Sequence, residues 1–274
     1  MVKKIIFCSD IHIRNYKRLD EYRIQLKKFI DECTDIVNEH GAEHVRIVIL
    51  GDLLHNKLDI SGEGYIVASQ FLKKLDELCK TIIIAGNHDM NMANLTRIDP
   101  ISTIFNLCTF NQTYFLDKEL NYESGCIVDD DIVWTLYSSF DNFARPNIEE
   151  CKIENSNKTF IGLFHGDVKN TKTDAGYTLE NGFEVSHFDG VDMCACGHIH
   201  KRQKLTYNGT DIVYVGSLIQ QDHGENINGH GYIVLDVETL SYSEHNIKNN
   251  FGFYTFTIND IDDIENNVEE LINF

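Results

Sequence analysis

The chain has 274 residues, enough for one large domain or two small ones with a real core, and its 42% apolar and 11% aromatic content excludes a disordered chain. No apolar run approaches the roughly 18 residues of a membrane span, so no membrane role is expected. The net charge of −19 excludes the broadly basic surface with which autonomous DNA binders hold phosphates; a nucleic-acid substrate would need bound cations, a local basic strip or a basic partner.

The N-terminal "MVKKIIFCSD" carries an apolar run too short for a signal-peptide core, which predicts an intracellular, cytoplasmic protein. Eight cysteines, at 8, 33, 79, 108, 126, 151, 194 and 196, lack framework spacing and read as reduced, mostly packed thiols.

In chain order, "KKIIFCSDIH" is a short apolar strand that stops at Asp10 and His12. "LDEYRIQLKKFIDECTDIVNEHG" has near-helical apolar spacing with Gly41 as its stop. "VRIVILGDLLH" is a second buried strand, "GYIVASQFLKKLDELCK" a second helix and "TIIIAGNHD" a third strand. This alternation predicts parallel strands joined by crossover helices. The second half changes character: "CIVDDDIVWTLYSS", "KTFIGLFHGD", "VDMCACGHIH", "TDIVYVGSLI" and "GHGYIVLDVET" are β-type runs between polar turns. They predict a second sheet packed on the first. The stretches near 155 and 225 read as loops, and "INDIDDIENNVEELINF" as a short acidic surface helix. The expected division is a catalytic domain over residues 1–250 and a short acidic segment over 251–274.

Five apolar strands stop at Asp, Asn or His: Asp10 and His12; Gly51-Asp52, with His55 three residues on; Gly86-Asn87-His88-Asp89; His165; and Gly197-His198-Ile199-His200. In α/β sheets ligands bind outside the carboxyl ends of strands. Any one stop alone reads as a turn or cap; five of the same chemical type read as a metal site. Oxygen and nitrogen donors suit Mn²⁺, Zn²⁺ or Fe, with Mn²⁺ favoured. Asp-x-His and His-x-His place both side chains on one face of an extended segment. Two metals roughly 3.5–4 Å apart clamp the attacking and leaving oxygens of a phosphoryl displacement, and Asp52 is the natural bridge. Asn87 would ligate without adding negative charge, and Gly86 would allow the tight turn that presents Asn87 and His88.

These motifs resemble the signature of the calcineurin-like metallophosphoesterases over about residues 4 to 236. The resemblance implies a two-sheet α/β sandwich, four layers deep (α/β/β/α), with a dinuclear centre. It implies that Asp10, His12, Asp52 and His200 hold one metal and Asp52, Asn87, His165 and His198 the other. It further implies that a metal-bridging hydroxide attacks phosphorus while His88 protonates the leaving oxygen or stabilises the transition state. "SDIHIRNYKRLDEYRIQLKKFID" with "GDLLHNK" is similar to SbcD-type (Mre-eleven-like) DNA repair exonucleases, and "YVGSLIQQDHGE" to their phage and viral members. His55 matches a histidine those nucleases place near the scissile phosphate. The implied partners are DNA and an SbcC-type coiled-coil ATPase, with a homodimer as the implied assembly; no full DNA-capping domain is expected. A phosphomonoesterase acting on phosphoproteins or small molecules, and a non-catalytic scaffold, are the alternatives; a scaffold should lose ligands, and here every position is filled.

Other candidates read as structural. Cys194 and Cys196 lack Cys-x₂-Cys spacing and read as packing in a strand. Arg14, Lys17 and Arg18 form the local basic strip near the presumed site. Lys201-Arg202 and His223 are secondary candidates for substrate contact. Asp167 and the run Asp129-Asp130-Asp131 read as turns.

Overall fold

The computed structural model describes residues 1–57, 59–91, 94, 96–254 and 260. The expected opening is present: β1 (Lys4–Cys8), α1 (Leu19–His40), β2 (Val45–Leu50), α2 (Gly62–Leu78) and β3 (Thr81–Ile84). The three strands pair in parallel. α2 begins where the Ser61 side chain accepts the Gly64 N–H, a cap that satisfies one of the orphan donors of the first turn.

Four short elements escape the sequence pattern in the middle of the chain. α3 (Pro100–Leu107) starts at Asp99, whose side chain accepts the Ser102 N–H. β4 (Thr113–Phe115) and α4 (Leu116–Glu119) follow directly. The run 126–139, read as one strand, is a hairpin of β5 (Gly125–Asp129) and β6 (Ile132–Tyr137) turning at Asp130-Asp131. The stretch near 155, expected as a loop, ends a helix, α5 (Ile148–Asn155); only Ile148 is buried, so no apolar period announces it. The remaining strands are β7 (Thr159–His165), β8 (Met193–Gly197), β9 (Gln203–Tyr207), β10 (Thr210–Tyr214), β11 (Gly231–Asp236) and β12 (Tyr242–Asn246).

Two six-stranded mixed sheets result, ordered β12-β11-β1-β2-β3-β4 and β5-β6-β7-β8-β10-β9. The expectation that the later runs build the second sheet fails at β11, which returns to the first sheet and pairs there with β12, a strand the sequence pattern did not mark. β11 runs antiparallel to β1, with Lys4 opposite Asp236 and their side chains paired at 2.8 Å.

Alternate residues of each strand serve different cores. Ile5, Phe7, Val48 and Leu50 meet Trp134, Leu136, Ile161 and Leu163 between the sheets. Ile6, Cys8, Ile47 and Ile49 face outward onto Phe29 of α1 and Phe71 of α2. On the far side of the second sheet, Tyr137, Phe160, Phe164 and Tyr214 pack with Ile148 of α5 and Phe188. Burial on both faces explains why these strands read as continuous apolar runs. Among the described residues no helix is long and apolar enough to cross a membrane. The expected helix within 258–274 lies outside the described residues, as does most of the segment 251–274.

Candidate metal centre

β1, β2, β3, β7 and β8 run parallel within their sheets, and their carboxyl ends meet. Ser9 Oγ and the His165 ring both reach the Leu50 carbonyl, at 2.9 and 2.6 Å. The Asp10 carboxylate accepts the His198 N–H at 3.0 and 3.2 Å, which ties one sheet to the other.

The side chains are aimed by unusual backbone. Asp10, His12, Asp52 and His198 have φ of 51°, 52°, 51° and 86°, a region that costs a non-glycine residue of order 1–3 kcal/mol. Asp10 and His12 therefore do not converge as alternate residues of an extended strand. Two left-handed turns bring His12 Nε2 to 3.8 Å from Asp10 Oδ1. Gly86 matters through close approach: a Cβ there would lie 2.1 Å from Asp52 Oδ1. Asp89, expected at most to cap the next segment, is buried and accepts the N–H groups of Leu53, Leu54 and Gly86. It fastens the Asn87 turn to the Asp52 turn.

Two donor groups result, Asp10 with His12 and His200, and Asp52 with His165 and His198; in each, the candidate ligand atoms lie within 4.8 Å of one another. Asn87 Oδ1 is 2.9 Å from His198 Nδ1, which adds it to the second group. Asp52 stands between the groups, with Oδ2 3.5 Å from His12 Nε2 and 3.3 Å from His165 Nε2. His88 donates its backbone N–H to Asp52 Oδ1 at 2.8 Å, and its ring Nδ1 lies 2.6 Å from the His55 carbonyl. His12, His55 and His88 form a third cluster beside these.

The residues fit divalent cations. His165 Nε2 is buried and has no hydrogen-bond partner among the described residues, while its Nδ1 faces a carbonyl and must carry the proton. The free lone pair points at Asp52. His12 and His200 oppose their Nε2 atoms at 3.2 Å, an arrangement that a shared cation would relieve. Without a cation, proton sharing takes its place. Burial opposes charge on His165, but Asp52 and Asp10 override it and raise the ring to about 10. The same histidine, overcoming burial, holds the Asp52 carboxyl well below the usual range. His200 is raised to about 9, its burial outweighed by Glu225, Asp10 and Asp52.

Sequence reasoning missed three supporting residues. Glu225 accepts from His200 Nδ1 and from the Gln221 N–H. Gln221 in turn donates to the carbonyls of Asp10 and Ile11 at 3.3 and 3.2 Å. Asp167, read as a turn residue, lies 3.3 Å from His198 Nε2. The polar run "QQDHGE" was a signal for the first two; nothing local marks Asp167.

The basic strip divides. Arg14 reaches His55 Nε2 at 3.2 Å, whereas Arg18 pairs with Glu21 and stacks on Phe253, and Lys17 is exposed. Arg202 is not aimed at the site: it is spent on Glu244, Asn246 and nearby carbonyls. His223 stacks on Phe253, with ring centroids 4.7 Å apart. Cys194 and Cys196 are buried on the outer face of the second sheet, with 3.8 Å between sulfurs.

The Calcineurin-like phosphoesterase superfamily domain matches residues 4–240. The uncharacterized protein R555 of Acanthamoeba polyphaga mimivirus is 35% identical over 277 residues, covering 97% of this chain, which spans only 20% of R555. Protein 244L of Invertebrate iridescent virus 6, whose name proposes a phosphoesterase, is 25% identical over 81% of this chain and 72% of its own length. A solved archaeal phosphodiesterase is similar over 89% of this chain and 99% of its own, at 14% identity and a TM-score of 0.39. With the matched domain spanning every strand but β12 and every strand end that builds the site, the chain belongs to the calcineurin-like phosphoesterase superfamily, whose members are metallophosphoesterases.

Proposed function

We propose that this chain is a dinuclear-metal phosphodiesterase of nuclease type, with DNA as its substrate and Mn²⁺ as its working ion, Zn²⁺ or Fe being acceptable to the same donors. The observation that carries this reading is the place of Asp52, one carboxylate bordering both donor groups at 3.5 and 3.3 Å. Asp10, His12, Asp52 and His200 would hold one cation, and Asp52, Asn87, His165 and His198 the other. Bound there, the cations would supply Lewis acidity toward phosphate oxygens and toward water. Asn87 adds a donor without a charge.

The chain's own groups do the rest. Asp52 Oδ1 anchors the His88 backbone and the His55 carbonyl takes the ring Nδ1–H, so Nε2 is the nitrogen through which a proton passes to the leaving oxygen. His55 stacks on His88 with centroids 5.3 Å apart. Burial, then the Arg14 charge and His88, push it down to about 4, which keeps it a neutral hydrogen-bonding group at working pH. Arg14 supplies a fixed positive charge beside it for the phosphate. With the cations, Arg14 offsets locally a molecule whose net charge is −19. Likeness to the SbcD-type nucleases extends the proposal to a coiled-coil ATPase partner and a homodimer.

The test is incubation of the full chain with Mn²⁺ and end-labelled single- and double-stranded DNA, beside Asp52→Asn. Hydrolysis of bis- and mono-(p-nitrophenyl) phosphate is compared in parallel. Cleaved DNA, a diester preference and a silent Asp52→Asn are expected. Preference for the monoester would replace this reading with a phosphomonoesterase, and loss of all hydrolysis despite metal uptake with a scaffold.

A further inference from the structure

Tyr16 lies on the bend that follows His12, and its ring is 75% exposed. Its backbone sits at φ 57°, a conformation that is costly for a bulky residue. Core packing does not hold it there, because the ring stands in water. Tyr16 and Phe251, the latter 42% exposed, line one open trough of about 400 Å³. Phe251 also borders a second cavity, of about 600 Å³, together with Tyr254, which is 36% exposed. Three aromatic rings thus follow one another along a connected surface. Its charge differs from that of the whole molecule. The chain carries 43 acidic residues against 24 lysines and arginines. Yet no carboxylate is among the described residues of the larger cavity, where Lys248 sits among the amides of Gln220, Asn228, Asn246, Asn249 and Asn250. The two carboxylates of the trough are both paired, Glu21 with Arg18 at 2.6 Å and Asp20 with Arg23 at 3.1 Å. Lys17, beside Tyr16, is exposed, as is Lys248.

The surface joins the metal centre. Arg14, which reaches His55, donates to the Gln221 carbonyl at 3.3 Å, and Arg18 donates to the Gln220 carbonyl at 2.6 Å. The Gln220 side chain exchanges two hydrogen bonds with the Phe253 backbone, at 2.6 and 2.9 Å. Asn249 fastens the same segment to α1 through Gln25 and Glu21, each at 2.8 Å. Phe251 is therefore held between α1 and the loop whose Gln221 touches the Asp10 carbonyl. We propose that Tyr16, Phe251 and Tyr254 form a stacking track for the unpaired bases of a single DNA strand, which leads away from the metal centre with its phosphates on Lys17 and Lys248. This rests on the nuclease reading above and names the form of DNA it takes. In a duplex the bases cover one another's faces, so exposed rings stack only on unpaired bases, and they do so whatever the sequence because every base has a π-face. The amides between the rings both donate to and accept from base edges. The local lysines answer the phosphate charge that a molecule of net charge −19 would otherwise repel.

The experiment uses the full chain with Mn²⁺ and compares hydrolysis of single-stranded oligothymidylate, its duplex with oligoadenylate, and bis-(p-nitrophenyl) phosphate, a diester too small to span the trough. Tyr16→Ala and Phe251→Ala are each expected to raise KM for the single strand by roughly 5–100-fold, the worth of one base–aromatic stack, and to leave its kcat in place. Tyr16→Phe keeps the ring and stays near wild type. Circular dichroism checks that each variant is folded. Tyr16→Trp supplies a direct reporter, because the chain's own Trp134 is only 1% exposed. Placed in the Asp52→Asn background, where the strand stays intact, its fluorescence is quenched as oligothymidylate is added. Equal losses on the oligonucleotide and on bis-(p-nitrophenyl) phosphate would mark a structural role and overturn the proposal. So would equal losses on single strand and duplex, wild-type KM in both alanine variants, or an unquenched Tyr16→Trp. A wild-type chain that cleaves no DNA overturns instead the nuclease reading beneath it, and the quenching of Tyr16→Trp then decides the track alone.

Discussion

At the scale of single residues, the candidate ligands are aimed by left-handed turns at Asp10, His12, Asp52 and His198 and by the close approach of Gly86 to Asp52. Asp10, His12, Asp52, Asn87, His165, His198 and His200 could be named because oxygen and nitrogen donors end five apolar strands in succession, although any one of them alone reads as a turn or cap. That four of them sit at positive φ is invisible to pattern, since the strain is stabilised by contacts from distant strands. The same holds for Asp89, whose three backbone donors come from two separate turns. His88→Ala is expected to lower turnover on a diester by about 10²–10⁴-fold while Mn²⁺ affinity stays within a few-fold, read by steady-state kinetics and calorimetry together. Gly86→Ala should act differently. Its new methyl would meet Asp52 Oδ1 at 2.1 Å, so it should destabilise the fold by about 1–3 kcal/mol and weaken metal uptake as well, seen as a lower Tm and a poorer titration.

At the scale of elements, the first half of the chain was readable because strand and helix periods alternate with clear stops. In the second half β7, β8, β10 and β11 were readable as apolar runs, but α5 and the sheet that β11 joins were not. α5 buries one residue, and β11 carries no local sign of which sheet it joins; its place follows from pairing with β1 across more than 200 residues. A buried ion pair fastens the far edge of the sandwich: Arg46 of β2 meets Asp129 of β5 at 2.8 Å, and Lys80 joins at 2.6 Å. Burial alone would raise the Asp129 carboxyl, but hydrogen bonds from Arg46 and Lys80 hold it below its ordinary value. The stability this contributes is present above the ordinary aspartate range and is lost as pH falls through the depressed value. Arg46→Met should cost about 1.5–3 kcal/mol near neutrality, since it leaves Asp129 with only Lys80 and the Trp134 N–H as partners. It should also move the acid-unfolding midpoint to higher pH, measured by circular dichroism across an acid series.

At the scale of the molecule, the two-sheet sandwich was legible from the order of runs, and the meeting of the sheets at one edge from the repetition of polar stops. The donors come from both sheets, three strand ends from one and two from the other. Cation removal should therefore loosen the docking of the sheets as well as silence the site. A chelator is expected to lower Tm relative to the Mn²⁺-loaded chain, by about 2.7 kcal/mol of stability where the ion stood at a hundred times its Kd; an unchanged melting curve would show that the donors hold no ion.

The spread of the donors along the chain also sets a clock. The first group pairs Asp10 and His12 with His200, and His200 is braced by Glu225. During synthesis the opening residues leave the ribosome roughly 10–40 s before Glu225 does, at about 5–20 residues per second. For that interval Asp10 lacks the His198 N–H that its carboxylate accepts. The donors of the first group therefore cannot come together until the segment carrying His200 and Glu225 has been made.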